Sequence, residues 1–233
     1  MVSAVAGPVH LRPTAPLAPR VLLPGDPGRA LLLAQALLHE PRMFNHHRGL
    51  WGYTGTAEDG APLTIQATGM GGPSAAIVVR ELVDLGARAL VRVGTCGSLV
   101  PDLRIGALVI ATEALAADGT SRALGATDRV PADPELLAAL RAGSPQAAVG
   151  PVATTDLFYD GPPPPEGALA VEMEAATVLQ LARRLGVAAA CVLGVSDELA
   201  EGARVRIGEA ELERLGEAVG RAGAAALLAG APA

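Results

Sequence analysis

The sequence predicts an α/β fold: a single domain over residues 1–233, built as a three-layer α/β/α sandwich around a twisted, mixed, mostly parallel sheet. Three observations point there. Strand-like and helix-like segments alternate along the chain, the pattern of a sheet crossed by helices. The strand-like runs are short, apolar and almost free of charge, as in a sheet covered on both faces. Gly and Pro sit at the junctions, and no linker divides the chain.

Each element has a local reason. Arg20–Pro24 (RVLLP) is a short apolar strand. Asp26-Pro27 opens a helix through Leu38, because Pro fits the first helical position. Trp51–Thr56 and Pro62–Thr68 flank the turn signal Glu58-Asp59-Gly60 and read as a hairpin. Gly69–Gly72 is a tight glycine stretch; Pro73 then opens a helix that stops at Gly86. Leu90–Gly94 is an apolar strand that the spacing ends in a turn at Thr95–Ser98, and Ala107–Thr112 is another strand. Pro134–Ala142 is helical and Ala147–Thr154 a strand. Gly161–Gly167 (GPPPPEG) fits neither helix nor sheet interior and is a loop. Glu172–Leu185 has helical spacing, Val187–Val195 is an apolar strand, and Gly208–Ala229 is a long final helix.

Composition excludes several functions. Half of the residues are apolar and 18% are charged, which is not the composition of a disordered chain. The net charge of −6 without a basic run argues against nucleic acid as a partner. All 18 basic residues are Arg, so Schiff-base chemistry and a P-loop lysine are excluded, and an anion must be held by Arg or backbone N–H groups. Cys96 and Cys191 lie in apolar stretches and read as reduced core thiols; with four His they do not suggest a metal site. No apolar run reaches the roughly 20 residues of a membrane span. The first residues lack the charged start and long apolar core of a signal peptide, so a cytoplasmic protein that meets no membrane is expected.

In open α/β sheets ligands bind beyond the carboxyl ends of the strands. That rule selects PGDPGR (Pro24–Arg29), GMGGPS (Gly69–Ser74), RVGTCGS (Arg92–Ser98) and VSDE (Val195–Glu198). The second has the wrong spacing for a dinucleotide fingerprint, and no ribose-binding acid follows it. Among Arg29, Arg48 and Arg92, the last sits in an apolar run with no carboxylate nearby in sequence, so a bound anion is its expected partner. Glu172 and Glu174 (VEMEA) lie two apart at a helix start; one should face inward, where a carboxylate can accept from both hydroxyls of a diol. Asp197 ends a strand, a placement that suits a catalytic acid and equally a turn or cap carboxylate. Phe158 and Tyr159 are two of five aromatic residues and stand beside a loop.

Taken together, PGDPGRA (24–30), NHHRGLWGYTGT (45–56), TGMGGPSAAIVVREL (68–82), LVRVGTCGSL (90–99), TTDLFYD (154–160), VEMEAA (171–176) and GVSDE (194–198) carry a resemblance. The chain resembles the nucleoside phosphorylase family that holds the hexameric purine nucleoside phosphorylases and the uridine phosphorylases. The segments follow the family's order and cover nearly the whole chain. The resemblance implies phosphorolysis of a nucleoside to free base and ribose 1-phosphate, with inorganic phosphate as co-substrate and no cofactor or metal. It places phosphate at Gly25, Arg29, Arg48, Arg92 and Thr95. It places the nucleoside at Glu172, Met173 and Glu174, with Glu174 on the ribose hydroxyls, His10 on the 5′-hydroxyl, and Phe158 and Ser196 around the base. Asp197 is implied as the acid that protonates purine N7. His10 and Arg48 are implied to reach into the site of a neighbouring subunit, making a dimer the smallest active unit and a hexamer, a trimer of dimers, the assembly.

The pair Ser196-Asp197 resembles the purine branch, and the Gln and Arg that read uracil in the uridine enzymes are missing from the GPPPPEG stretch. Asp at 197 resembles members that take 6-amino as well as 6-oxo purines. Two departures stand out. The Arg that normally assists the Asp does not align; Arg204, Arg206 and Arg214 are the candidates. The segment between Phe158 and Glu172 is short. Three alternatives remain: a uridine phosphorylase, a nucleosidase using water, against which the arginines argue, and a non-catalytic nucleoside-binding relative.

Overall fold

The computed structural model describes residues 7–200 and 203–230; the outermost limits of the expected 1–233 domain lie outside them. Along the chain run β1 (Arg20–Leu23), α1 (Pro27–Leu37), β2 (His39–Asn45), a 3₁₀ turn (His47–Gly49), β3 (Gly52–Thr56), β4 (Pro62–Gln66) and α2 (Gly72–Asp84). Then come β5 (Ala89–Ser98), β6 (Leu108–Ala117), α3 (Gly119–Ala123), β7 (Arg129–Pro131), α4 (Pro134–Gly143) and β8 (Ala148–Thr155). Last are β9 (Ala170–Glu172), α5 (Ala175–Leu185), β10 (Ala188–Ala200), β11 (Ala203–Arg206) and α6 (Glu209–Gly230).

The helix signals act as expected. Asp26 caps α1 by accepting from the Arg29 N–H at 2.7 Å, Asp133 caps α4, and Gly186 ends α5 in the left-handed conformation that Gly adopts without strain. All described strands join one mixed sheet. Its centre is parallel: β4, β1, β5 and β10 run in one direction. Antiparallel ladders come from the β2–β3–β4 meander, the β10–β11 hairpin, and the pairings of β10 with β6, β5 with β9 and β6 with β7. The pairings β5–β10–β6–β8–β9–β5 close a ring, so the middle of the sheet has barrel character and no free edge.

Helices cover the sheet in two groups. α6 packs against α1, α4, β1, β5 and β10, while α2, α3 and α5 contact one another, and α5 also contacts β6, β8 and β10. A large apolar core lies between the layers, with Leu22, Leu90, Val91 and Val192 fully buried, and a small second cluster forms at Leu115, Ala153 and Ala168. Cys96 and Cys191 are buried free thiols, and burial pushes both above the ordinary thiol range.

The strands outrun several expectations. Thr95–Ser98 is not a turn but the last part of β5, and β10 continues past Val195 to Ala200. Ladder partners on both sides hold these segments extended, against a local reading of TCGS. Glu172 is not helical: it ends β9, and α5 begins at Ala175. Strands β2, β7, β9 and β11 and the short α3 have no clear sequence signal; β2 (HEPRMFN) contains a Pro and does not alternate.

Candidate active site

Because β4, β1, β5 and β10 are parallel, their carboxyl ends open on one side, where a cavity of about 790 Å³ lies, within the usual size of small-molecule sites. Ten of the twelve residues expected at the site line it: Gly25, Arg29, Arg92, Thr95, Phe158, Glu172, Met173, Glu174, Ser196 and Asp197. His10 and Arg48 do not. Arg48 is exposed on the 3₁₀ turn and His10 half-buried on the N-terminal segment. The two sit close together, since His47 Nδ1 donates to the His10 carbonyl at 2.9 Å.

The floor is built by close backbone approach. The Gly69 N–H donates to the Gly25 carbonyl at 3.0 Å, and a Cβ on Gly25 would stand 3.3 Å from the Gly69 carbonyl oxygen. Arg29 follows in the first turn of α1. Among the described residues no carboxylate is bonded to its side chain, and burial, with Arg92 nearby, lowers its pKa against the pull of Asp26.

Arg92 corrects the sequence reading. It has carboxylate partners, but they come from 80 and 82 residues away: Nε donates to Glu172 Oε2 at 2.8 Å, and Nη2 lies 2.5 Å from Glu174 Oε2. All three side chains are almost fully buried. Burial works against the guanidinium charge, but Glu174 and Glu172 outweigh it and hold Arg92 firmly protonated. Its Nη1 remains buried without a hydrogen-bond partner. An orphaned charged donor beside Arg29 calls for an anion. Gly94 makes room for this guanidinium, since a Cβ there would sit 2.9 Å from Nη2.

The two glutamates divide their work. Glu172 is fully engaged: Oε1 accepts from Thr154 Oγ1 at 2.5 Å, and its oxygens take the N–H groups of Glu174 and Ala175. It fixes Arg92 and the start of α5 and has little left for a ligand. Glu174 accepts from the Gly71 N–H at 2.5 Å and pairs with Arg92. Burial pushes its carboxyl up, against Arg92 and with Glu172 adding repulsion. Glu174 lines the cavity beside Met173.

Asp197 sits at a β-bulge. Val195 pairs with Cys96 but Asp197 with Gly97, so Ser196 is the extra residue that re-aims the strand. Ser196 Oγ lies 3.0 Å from Asp197 Oδ2. Among the described residues Asp197 Oδ1 has no hydrogen bond, and it is ion-paired with Arg204, whose Nε lies 3.3 Å away. Among the three candidate arginines, Arg204 is therefore the one at the acid. Arg214 pairs with Glu211 on α6; Arg206 lines the cavity and is the ladder partner of Asp197, but no ion pair joins the two side chains among the described residues. The Arg204 guanidinium also stacks 4.5 Å over the Phe158 ring.

Gly94, Gly97, Met70, Thr155 and Asp160 also line the cavity; they lie in segments the sequence singles out, which gave them no role of their own. The glycines inside β5 were a usable signal: a Cβ on Gly97 would stand 2.9 Å from Asp197 Oδ1. Among the described residues no group of His, Cys, Asp or Glu could hold a metal ion, and no helix is long and apolar enough to cross a membrane.

Fold and site together define a class, and comparison with known proteins agrees. The chain belongs to the phosphorylase superfamily, whose family model matches residues 19–229. It is similar to a protein named purine nucleoside phosphorylase DeoD-type from Geobacillus kaustophilus, 40% identical over 81% of this chain and 85% of that protein. Proteins of the same name from Caldanaerobacter subterraneus subsp. tengcongensis and Clostridium perfringens are 40% and 39% identical, over 80% and 78% of this chain and 85% and 83% of theirs.

Proposed function

We propose that the chain is a purine nucleoside phosphorylase, cleaving purine ribo- or deoxyribonucleosides with phosphate to free base and pentose 1-phosphate. The observation that carries this is the unspent edge of Arg92 beside Arg29, in a cavity that also holds Glu174 and, at another strand end, Asp197. The β5–β10 register separates Arg92 from the partner of Asp197 by five residues. That is about 16 Å along a strand, enough for a phosphate and a nucleoside between the side chains. Family membership and relatives near 40% identity support the same reading.

Phosphate is held by Arg29, Arg92, Thr95 and the Gly25 backbone, with Arg48 supplied by a second copy. Glu174 accepts from the ribose hydroxyls against Met173, and the base lies by Phe158 and Ser196. Glu172 acts through Arg92. A phosphate oxygen forms the bond to C1′ as the C1′–N9 bond breaks, and that electron pair leaves with the base. Asp197 delivers a proton to N7, and Arg204 stabilises the carboxylate left behind. The reaction draws on no metal or organic cofactor.

The active unit is a dimer sharing its sites, within a hexamer in the cytoplasm. Val9, Met43, Trp51 and Ile77 expose apolar surface around the segment that carries His10, which suits burial against a second copy. The reverse reaction tests the proposal. Hypoxanthine and ribose 1-phosphate should yield inosine and phosphate; failure of synthesis together with cleavage in phosphate-free buffer would make the chain a nucleosidase.

A further inference from the structure

The motif TGMGGPSAAIVVREL carries, at its penultimate position, a carboxylate that the reaction does not use. Glu81 lies on α2, yet it gathers a segment 70 to 72 residues away. It accepts from the Val9 N–H at 3.1 Å, the His10 N–H at 3.0 Å and the Leu11 N–H at 2.7 Å, and it meets the His10 ring Nδ1 at 2.8 Å. Burial would raise this carboxyl, but these donors outweigh burial and hold it below the usual carboxylate range. An ionised carboxylate only accepts, so the proton between them belongs to Nδ1. The His10 carbonyl is pinned as well, by His47 Nδ1 at 2.9 Å. Among the described residues no hydrogen bond uses His10 Nε2, and the ring is partly exposed.

We propose that Glu81 is a positioning residue: it fixes the orientation and tautomer of His10, so that Nε2 is presented as an acceptor to the 5′-hydroxyl of the nucleoside bound by a second copy of the chain. This rests on the phosphorylase reading and names what prepares His10 for it. Free neutral imidazole prefers its proton on Nε2; the Glu81 bond reverses that preference. His47 ties the same segment to the turn carrying Arg48, so the surface offered to the neighbour is held as one unit.

Two measurements on the full chain test the inference. In ¹⁵N-labelled protein the His10 ring should show Nε2 unprotonated, and Glu81→Ala, which removes the acceptor of Nδ1–H, should shift the proton toward Nε2. In steady-state kinetics Glu81→Ala should raise KM for inosine about fivefold, the worth of one hydrogen bond, and KM for 5′-deoxyinosine less than about twofold. Equal changes on both nucleosides, no change on inosine, or a protonated Nε2 in the wild type would overturn it. A wild type with equal KM for both nucleosides would overturn this inference alone. A wild type inert on both would overturn the phosphorylase reading and this inference with it.

Discussion

Arg92 and Glu172 form a buried ion pair, Nε to Oε2 at 2.8 Å, with side chains 4% and 1% exposed. The pair ties the middle of β5 to the junction of β9 and α5, and it holds Arg92, whose Nη1 is buried without a hydrogen-bond partner, in the wall of the cavity. Removing Glu172 takes the acceptor from Arg92 Nε and leaves Glu174 as the remaining carboxylate on the guanidinium. Glu172→Ala should cost about 3–5 kcal/mol of stability, measured by urea denaturation, because Arg92 and the first N–H groups of α5 lose their acceptor together.

Among the described residues Arg29 has no bonded carboxylate, and its proposed role is to hold phosphate. Arg29→Ala should raise KM for phosphate about tenfold or more, the worth of a hydrogen bond between charged groups, with a smaller effect on KM for inosine. Initial rates over a phosphate series check this. An unchanged phosphate KM would remove Arg29 from the site.

Asp197→Asn should lower kcat on inosine by about 10²–10⁴-fold, since the amide has no proton of comparable acidity to give. Arg204→Ala should cost less than that but more than Arg206→Ala or Arg214→Ala, which should stay within about twofold of wild type. The order follows from the 3.3 Å approach of Arg204 alone to Asp197 Oδ1. Equal losses at Arg204 and Arg214 would contradict it.

Sharing of sites between copies predicts complementation. His10→Ala and Asp197→Asn should each be impaired alone. When the two chains are co-expressed and assembled together, sites containing Asp197 from one copy and His10 from the other regain activity. Mixed assemblies no more active than the mean of the parents would show that each copy works with its own His10.

Glu81 predicts a pH dependence of stability. Its folded pKa lies below the unfolded value of about 4.3, so between the two the unfolded chain binds more protons. The Glu81 contribution is therefore fully present above about pH 4.3 and is lost as pH falls through the lower folded value. Thermal melts should show wild type more stable than Glu81→Gln near neutrality, with the gap closing in acid.

Much of the architecture was legible because its signals are local. Pro27 and Pro73 open helices, Gly186 closes one, and the apolar runs at Arg20–Leu23 and Ala188–Val195 are central strands. The turn read at Thr95–Ser98 failed for a physical reason. Gly94 and Gly97 are strand residues whose missing Cβ atoms leave space for Arg92 and Asp197, so glycine marked a close approach and not a break in the ladder. The site residues were legible as motifs at strand ends, and ten of them do converge. Their partners were not. The Arg92–Glu172 and Glu81–His10 contacts cross 80 and 71 positions of sequence, and only the closed arrangement of β5, β9 and α5, or the docking of the N-terminal segment on α2, brings them together. The same holds for Arg204, which reaches Asp197 because β10 and β11 form a hairpin.

On the proposed function, this cavity joins a phosphate to the sugar of a purine nucleoside. Base release from inosine, adenosine, guanosine and uridine, each with and without phosphate, tests it most directly. The account predicts release from the purine nucleosides, only in the presence of phosphate, with pentose 1-phosphate formed in equal amount. Release without phosphate, or release from uridine in preference to the purines, would contradict it.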